Sequence, residues 1–236
     1  MTVVVGLDTA TVDAAVAVAD DGEVIREVAA PPDETGRPRH SQVLLPEIDR
    51  CVEAAGGWGA IERIAVGVGP GSFTGLRIGI ATARALAQAR RIPLAPVVTL
   101  AALARAISAH PLAEDRSALP VIDARRGEAF AALYASDGSE LRSPLVASPA
   151  DLAALVAKLD SAPLAAGDGA LRFAADLEAG GATVAPPQDP VHRVAARHVC
   201  RLGAAAPEAA PSEIEPLYLR PPDAKRWLER DRDGQG

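Results

Sequence analysis

The sequence predicts an α/β protein made of two similar lobes with a cleft between them. Three observations carry this. Short apolar runs alternate with helical periodicities along most of the chain. Leu7-Asp8 followed by Asp21-Gly22 is echoed, at nearly the same spacing, by Ile122-Asp123 followed by Asp137-Gly138. The length of 236 residues leaves room for two domains of about 100 residues each.

Taken in order, Val3 to Leu7 is an apolar run ending in Asp8-Thr9-Ala10-Thr11, and Ala14 to Ala19 is a second strand. Asp21-Gly22 is a hairpin signal, with Glu23 to Ala29 as the return strand. After a polar loop at Pro31 to Pro38, Ser41 is expected to cap a helix with Leu44, Ile48, Val52 and Ala55 on one face. Pro46 belongs in its first turns or kinks it, and Gly56-Gly57 ends it. Ile64, Val66 and Val68 form a strand, Gly69-Pro70-Gly71 breaks it, and Ser72 caps a helix from Phe73 to about Arg91. Pro93 to Val98 is a strand, with Thr99 as cap of a helix to Ser108.

In the second half, Leu119 to Asp123 and Glu128 to Ala135 are strands. Ser148-Pro149-Ala150-Asp151 starts a helix to about Leu159. Leu164–Ala166, a helix near Leu171–Glu178, a strand at Thr183–Ala185 and a helix from Val194 to Leu202 complete the pattern. The expected division is an N-terminal lobe at 1–109, a C-terminal lobe at 110–220 and a loose charged tail at 221–236.

Hydrophobic residues make up 49% and charged residues 23%, as in a folded soluble protein, and aromatics only 3%, so the core must be Ala, Val, Leu and Ile. A net charge of −7 argues against stand-alone nucleic-acid binding, which needs clustered Lys and Arg. The pairs Arg125-Arg126 and Lys225-Arg226 read as solvated. Cys51 and Cys200 form neither a CxxC motif nor a disulfide framework. Met1-Thr-Val-Val-Val lacks a basic leader, and no apolar run reaches about 18 residues, so the expected location is cytoplasmic, without membrane contact.

The Gly-rich turn aims backbone N–H groups and a helix N-terminus at one point, which suits an anion. It lacks the Gly-Lys-Ser/Thr of a P-loop, and Thr74 stands where a dinucleotide fingerprint needs Gly. Within the helix, Gly75, Gly79, Ala83 and Ala87 recur every fourth residue, with Leu76, Ile80 and Leu86 beside them. Such a stripe admits close approach of another backbone, either inside its own domain or from another chain.

Asp8 and Asp123 each end a first strand, where open α/β sheets place ligands. They either hold a metal or its waters across the cleft or cap their own turns. Histidines 40, 110, 192 and 198 make no i, i+3 or i, i+4 pair, and His40 reads as structural at a helix entry. No nucleophile–base arrangement stands out, and no metal site or cofactor is expected. Gly167-Asp168-Gly169 serves either a nucleotide or a strand-to-helix turn.

Gly67-Val-Gly-Pro-Gly-Ser-Phe-Thr-Gly-Leu-Arg-Ile-Gly79 resembles the signature of the bacterial TsaB (YeaZ) family. Supporting matches are Leu7-Asp-Thr9, Arg39-His-Ser41 with Leu44-Leu-Pro46, Ile122-Asp-Ala-Arg-Arg-Gly-Glu128, Gly167-Asp-Gly169 and Pro216-Leu-Tyr-Leu-Arg220. The resemblance implies two RNase H-like lobes of the actin, Hsp70 and sugar-kinase ATPase type. It also implies a non-catalytic scaffold for tRNA threonylcarbamoyladenosine synthesis, partnered with the catalytic subunit TsaD and the P-loop ATPase TsaE. tRNA would be met only through that complex, and a homodimer is expected when the chain is alone.

By the resemblance, the partner surface is carried by Leu44, Leu45, Ile48, Val52, Thr74, Gly75, Ile78, Gly79, Thr82, Ala83 and Leu86. A vestigial nucleotide site would use Asp8, Thr9, Thr11, Gly71, Asp123, Gly167, Asp168 and Gly169. The catalytic relative carries a metal-binding His-x-x-x-His where this chain has Thr99 and Leu103, and Leu103 has no donor atom. The alternative is an autonomous nucleotide hydrolase or kinase, or a peptidase-like enzyme.

Overall fold

The computed structural model describes residues 2–220. The stretch 221–236, expected to be a loose charged tail and containing Lys225-Arg226, lies outside the described residues. β1 (Val3–Asp8), β2 (Ala14–Asp20) and β3 (Glu23–Ala30) form an antiparallel meander. Its β2–β3 turn is Asp21-Gly22, both with positive φ (47° and 86°), as a tight hairpin matched to strand twist requires. β4 (Arg63–Gly69) runs parallel to β1, and β5 (Leu94–Val98) parallel to β4.

β6 (Ala118–Asp123), β7 (Ala129–Tyr134) and β8 (Glu140–Ala147) repeat the meander, and β9 (Leu164–Ala166) and β10 (Thr183–Val184) repeat the parallel additions. The strand orders are β3-β2-β1-β4-β5 and β8-β7-β6-β9-β10. The sequence echo thus marks two copies of one topology. Each is an RNase H-like sheet, and the pair is the actin, Hsp70 and sugar-kinase ATPase type of fold.

α1 (His40–Ala54) and α2 (Phe73–Arg90) cover one face of the first sheet, packing Leu44, Ile48, Leu76 and Ile80 with Leu7, Val16 and Val66. The other face is covered by α7 (Ala196–Ala205), whose Val199 and Cys200 meet Val4, Ala17 and Ala65. α3 (Thr99–Ser108) leaves the first sheet and packs Leu100, Leu103 and Ile107 onto Ile122, Phe130 and Leu164 of the second. α4 (Pro149–Val156), α5 (Asp168–Arg172) and α6 (Ala174–Ala179) cover its remaining face. The sheets therefore exchange helices: α3 comes from the first half to the second sheet, and α7 from the second half to the first. Gly6 permits the second docking, since a Cβ there would sit 2.7 Å from Cys200 Sγ.

Local signals hold at several helix ends. Ser72 Oγ accepts from Gly75 N at 3.3 Å, and Ser148 Oγ accepts from Asp151 N at 3.2 Å with Pro149 behind it. Others differ. α1 starts at His40, with Arg39 before it and no side-chain cap, so Ser41 lies inside the helix. Thr99 is the first residue of α3 rather than its cap, because its hydroxyl is engaged elsewhere. α4 ends at Val156, and the helix expected near Leu171–Glu178 is two short helices meeting at the buried Phe173.

Candidate functional site

β1 and β6 both end in Asp, and a cleft of about 700 Å³ opens beside them, between the two sheets. Thr11, Gly71, Asp123 and Asp168 line it. So do Phe73, Thr74 and Arg77 from the start of α2, Arg125 and Arg126 after β6, and the terminal segment Leu217–Arg220.

Asp8 does not face the cleft. It is 1% exposed, its Oδ1 accepts from Ala10 N at 2.7 Å and its Oδ2 accepts from the Thr99 hydroxyl at 2.7 Å. That hydroxyl in turn accepts from Gly69 N at 3.1 Å. Burial pushes the Asp8 carboxyl up to about 6, against the pull of the bonds from Ala10 and Thr99. The glycines of the long signature pack around this strand end. A Cβ on Gly67 would overlap the Asp8 carboxylate, on Gly71 the Ala10 carbonyl, on Gly75 the Thr9 carbonyl and on Gly79 the Thr9 hydroxyl. Thr9 donates that hydroxyl to Gly75 O at 2.7 Å. The glycines of the stripe therefore receive Thr9, in the turn that follows β1 of their own chain.

Asp123 also serves its own turn, accepting from Arg125 N at 2.8 Å, and its Oδ2 meets Arg172 at 2.8 Å and Arg125 at 3.3 Å. Asp168 Oδ1 accepts from Asp123 N at 3.0 Å, and its carboxyl is raised, chiefly by burial. Gly167 and Gly169 lie under the cleft, where a Cβ on Gly167 would overlap the Val121 carbonyl and one on Gly169 would come within 2.7 Å of the Ile122 carbonyl carbon. Gly167-Asp168-Gly169 is thus a strand-to-helix turn packed on β6. Asp8 is sealed and Asp123 is held by two arginines, so the pair presents no free carboxylates to a metal–nucleotide complex. Among the described residues no three His, Cys, Asp or Glu side chains gather as a metal site.

The cations of the cleft were not legible as a site in the sequence. Arg125, Arg126 and Gly127 all have positive φ (63°, 55° and 77°), a conformation that L-residues avoid, and both arginines, exposed as expected, line the rim of the cleft. Arg77 lies 3.7 Å over the Phe73 ring and donates to Tyr218 Oη at 3.2 Å. Tyr218 stacks on Phe73 with centroids 5.1 Å apart. Leu217 N donates to Val68 O at 2.7 Å in the first sheet, while Arg220 donates to Ala124 O at 3.2 Å and pairs with Glu128 in the second half. The segment Pro216–Arg220 thus straps the two sheets together across the cleft, which offers an anionic or flat ligand arginines and rings but no nucleophile–base pair.

Of the residues expected on a partner surface, Leu44, Ile48, Val52, Gly75, Gly79 and Ala83 are buried inside the chain. This corrects their assignment: they pack α1 and α2 onto the sheet. Leu45 is 56% exposed, Thr74 is exposed, and Ile78, Thr82 and Leu86 are half-buried.

Two RNase H-like sheets around a strapped cleft define the class: an actin, Hsp70 and sugar-kinase type of fold whose β1 and β6 terminal carboxylates, Asp8 and Asp123, are bonded within the chain. The family description "TsaD: tRNA N6-adenosine threonylcarbamoyltransferase" matches residues 26–177. The Escherichia coli (strain K12) tRNA threonylcarbamoyladenosine biosynthesis protein TsaB is 36% identical over 135 residues, 57% of this chain and 55% of that protein. The Haemophilus influenzae TsaB is 34% identical over 125 residues, 52% of this chain and 50% of that protein. This chain thus spans about half the length of those curated relatives. The solved structure of YeaZ from Pseudomonas aeruginosa superposes with a TM-score of 0.75 at 26% identity, covering 93% of this chain and 100% of that one. The chain belongs to the TsaD family, among its TsaB (YeaZ) members.

Proposed function

We propose that this chain serves tRNA threonylcarbamoyladenosine biosynthesis as a non-catalytic subunit. In this reading it binds and stabilises the catalytic transferase subunit TsaD, supports recruitment of the ATPase TsaE, and meets tRNA only within the complex, in the cytoplasm. The names of the curated relatives support the process. The observation that carries the non-catalytic role is at α3. By the resemblance, Thr99 and Leu103 stand where the catalytic relative carries its metal ligands. The Thr99 hydroxyl is spent between Asp8 and Gly69, and Leu103 is 1% exposed in the second core.

The docking surface we assign is the outer face of α1 and α2, centred on the exposed Leu45 and flanked by Ile78, Thr82 and Leu86. An exposed apolar ridge seeks cover, so the isolated chain uses the same face to pair with a second copy. The test is co-purification with the catalytic subunit from the same genome, then a threonylcarbamoylation assay with and without this chain. A stable complex active only with both chains is expected, with Leu45→Glu folded but unable to form it. A chain that forms no complex and alone turns over a nucleotide or peptide would overturn the reading in favour of an autonomous enzyme.

A further inference from the structure

A second pocket of about 310 Å³ lies away from the cleft, walled by α3, α7 and the β7–β8 turn. Ala101, Ala104 and Leu202 make its apolar side, and Arg105 from α3 supplies a half-buried cation. The guanidinium lies over the turn: a Cβ on Gly138 would come within 3.1 Å of Arg105 Nη1. Among the described residues Arg105 makes no hydrogen bond or ion pair. A partly desolvated charge without a partner is unfavourable, and a planar fork of five donors matches an oxyanion.

The neighbouring groups agree. Tyr134 lines the same pocket, and its buried hydroxyl has no hydrogen-bond partner. Ser139 adds another hydroxyl, one that also bonds the Asp137 carboxylate. Asp137, the carboxylate among the lining residues, accepts from Ser139 N at 2.8 Å and serves its own turn. Arg105 and Arg201 also act on the nearby His198, beside an Arg197 that is paired with Glu27 at 2.6 Å.

We propose that this pocket binds a small oxyanion, a phosphate monoester or a carboxylate, whose charged head meets Arg105 and Ser139 and whose apolar body lies against Ala101, Ala104 and Leu202. The volume is at the lower end of small-molecule sites, which start at about 300 Å³. The site is independent of the role proposed for α1 and α2.

The test is an NMR titration of the ¹⁵N-labelled chain with inorganic phosphate and, separately, with acetate, at constant ionic strength. The amides of Gly138 and Ser139 are expected to shift along a saturating curve with at least one of the two, and which one saturates tells phosphate from carboxylate. Arg105→Gln is expected to weaken that binding about tenfold or more, while Arg142→Gln, on the exposed part of β8, leaves it unchanged. Should Arg105→Gln unfold, Arg105→Lys keeps the charge but not the fork and is expected to weaken binding about threefold. Shifts that never saturate with either anion, or that saturate alike in the Arg105 variant, overturn the proposal.

Discussion

Thr99 donates its hydroxyl proton to Asp8 Oδ2 at 2.7 Å, joining the first residue of α3 to the last of β1. One bond thus ties the helix that leaves for the second sheet to the central strand of the first. Thr99→Val, which keeps the shape and removes the donor, should destabilise the chain by about 1.5–3 kcal/mol, the range for a lost bond to a charged partner. Urea unfolding checks it.

Burial moves two groups in opposite directions, Asp8 up to about 6 and His198 down to about 4. Asp8 titrates near 3.8 when unfolded, so its proton favours the fold. Its share of stability is full in acid and falls by about 3 kcal/mol as pH rises from about 4 to about 6. His198 titrates near 6.5 when unfolded and is folded neutral. Its share is full above that value and falls by about 3 kcal/mol as pH drops to about 4. The two slopes nearly cancel. Stability of Asp8→Asn should therefore rise with pH across this window, and that of His198→Leu should fall. Parallel profiles in denaturant melts of the two variants would contradict the assignment.

Gly79→Ala should destabilise the isolated chain by about 2–3 kcal/mol through overpacking against Thr9. Gly75→Ala, which meets the immovable Thr9 carbonyl, should cost at least as much. Thermal melts of the chain without any partner provide the check, and unchanged melts would restore these glycines to an outer surface.

Cys51 and Cys200 are buried, and burial raises their thiols to about 11 and about 12. Since the thiolate is the reactive form, neither should react with Ellman's reagent at pH 8 in the native chain, and both should react in denaturant.

Tyr218→Ala should lower stability by about 1–2 kcal/mol, because it removes the stack on Phe73 and the acceptor for Arg77. Tyr218→Phe keeps the ring and should cost about half as much. Hydrogen exchange at Leu217 N, bonded to Val68 O, should quicken more in the first variant than in the second.

Much of the fold was written locally. Asp21-Gly22, Ser72 and Ser148 carry their turns and caps in their own chemistry, and the doubled Asp and Asp-Gly pattern marked both meanders. What local pattern could not supply was the partner of a side chain. The spacing of Gly75 and Gly79 announces a close approach, but nothing in it says that the approaching backbone is Thr9, 66 residues from the Gly75 carbonyl that its hydroxyl meets. Thr99 has the composition of a cap and the position of one, yet its hydroxyl is claimed by Asp8. Arg125-Arg126 looks like any exposed basic pair until the backbone conformation around Gly127 is known. Tyr218 and Arg220 lie in a quoted motif, but their strap across the cleft depends on both sheets already being in place.

The exchange of α3 and α7 also orders the chain's birth. Val4, Ala17 and Ala65 leave the ribosome early, while their cover, Val199 and Cys200, is made well over a hundred residues later, roughly 10 s or more of elongation. Until then one apolar face of the nascent first sheet is bare, the kind of surface that holdase chaperones cover. Arrival of α7 closes that face, and a translation product that stops short of it is released with the face open.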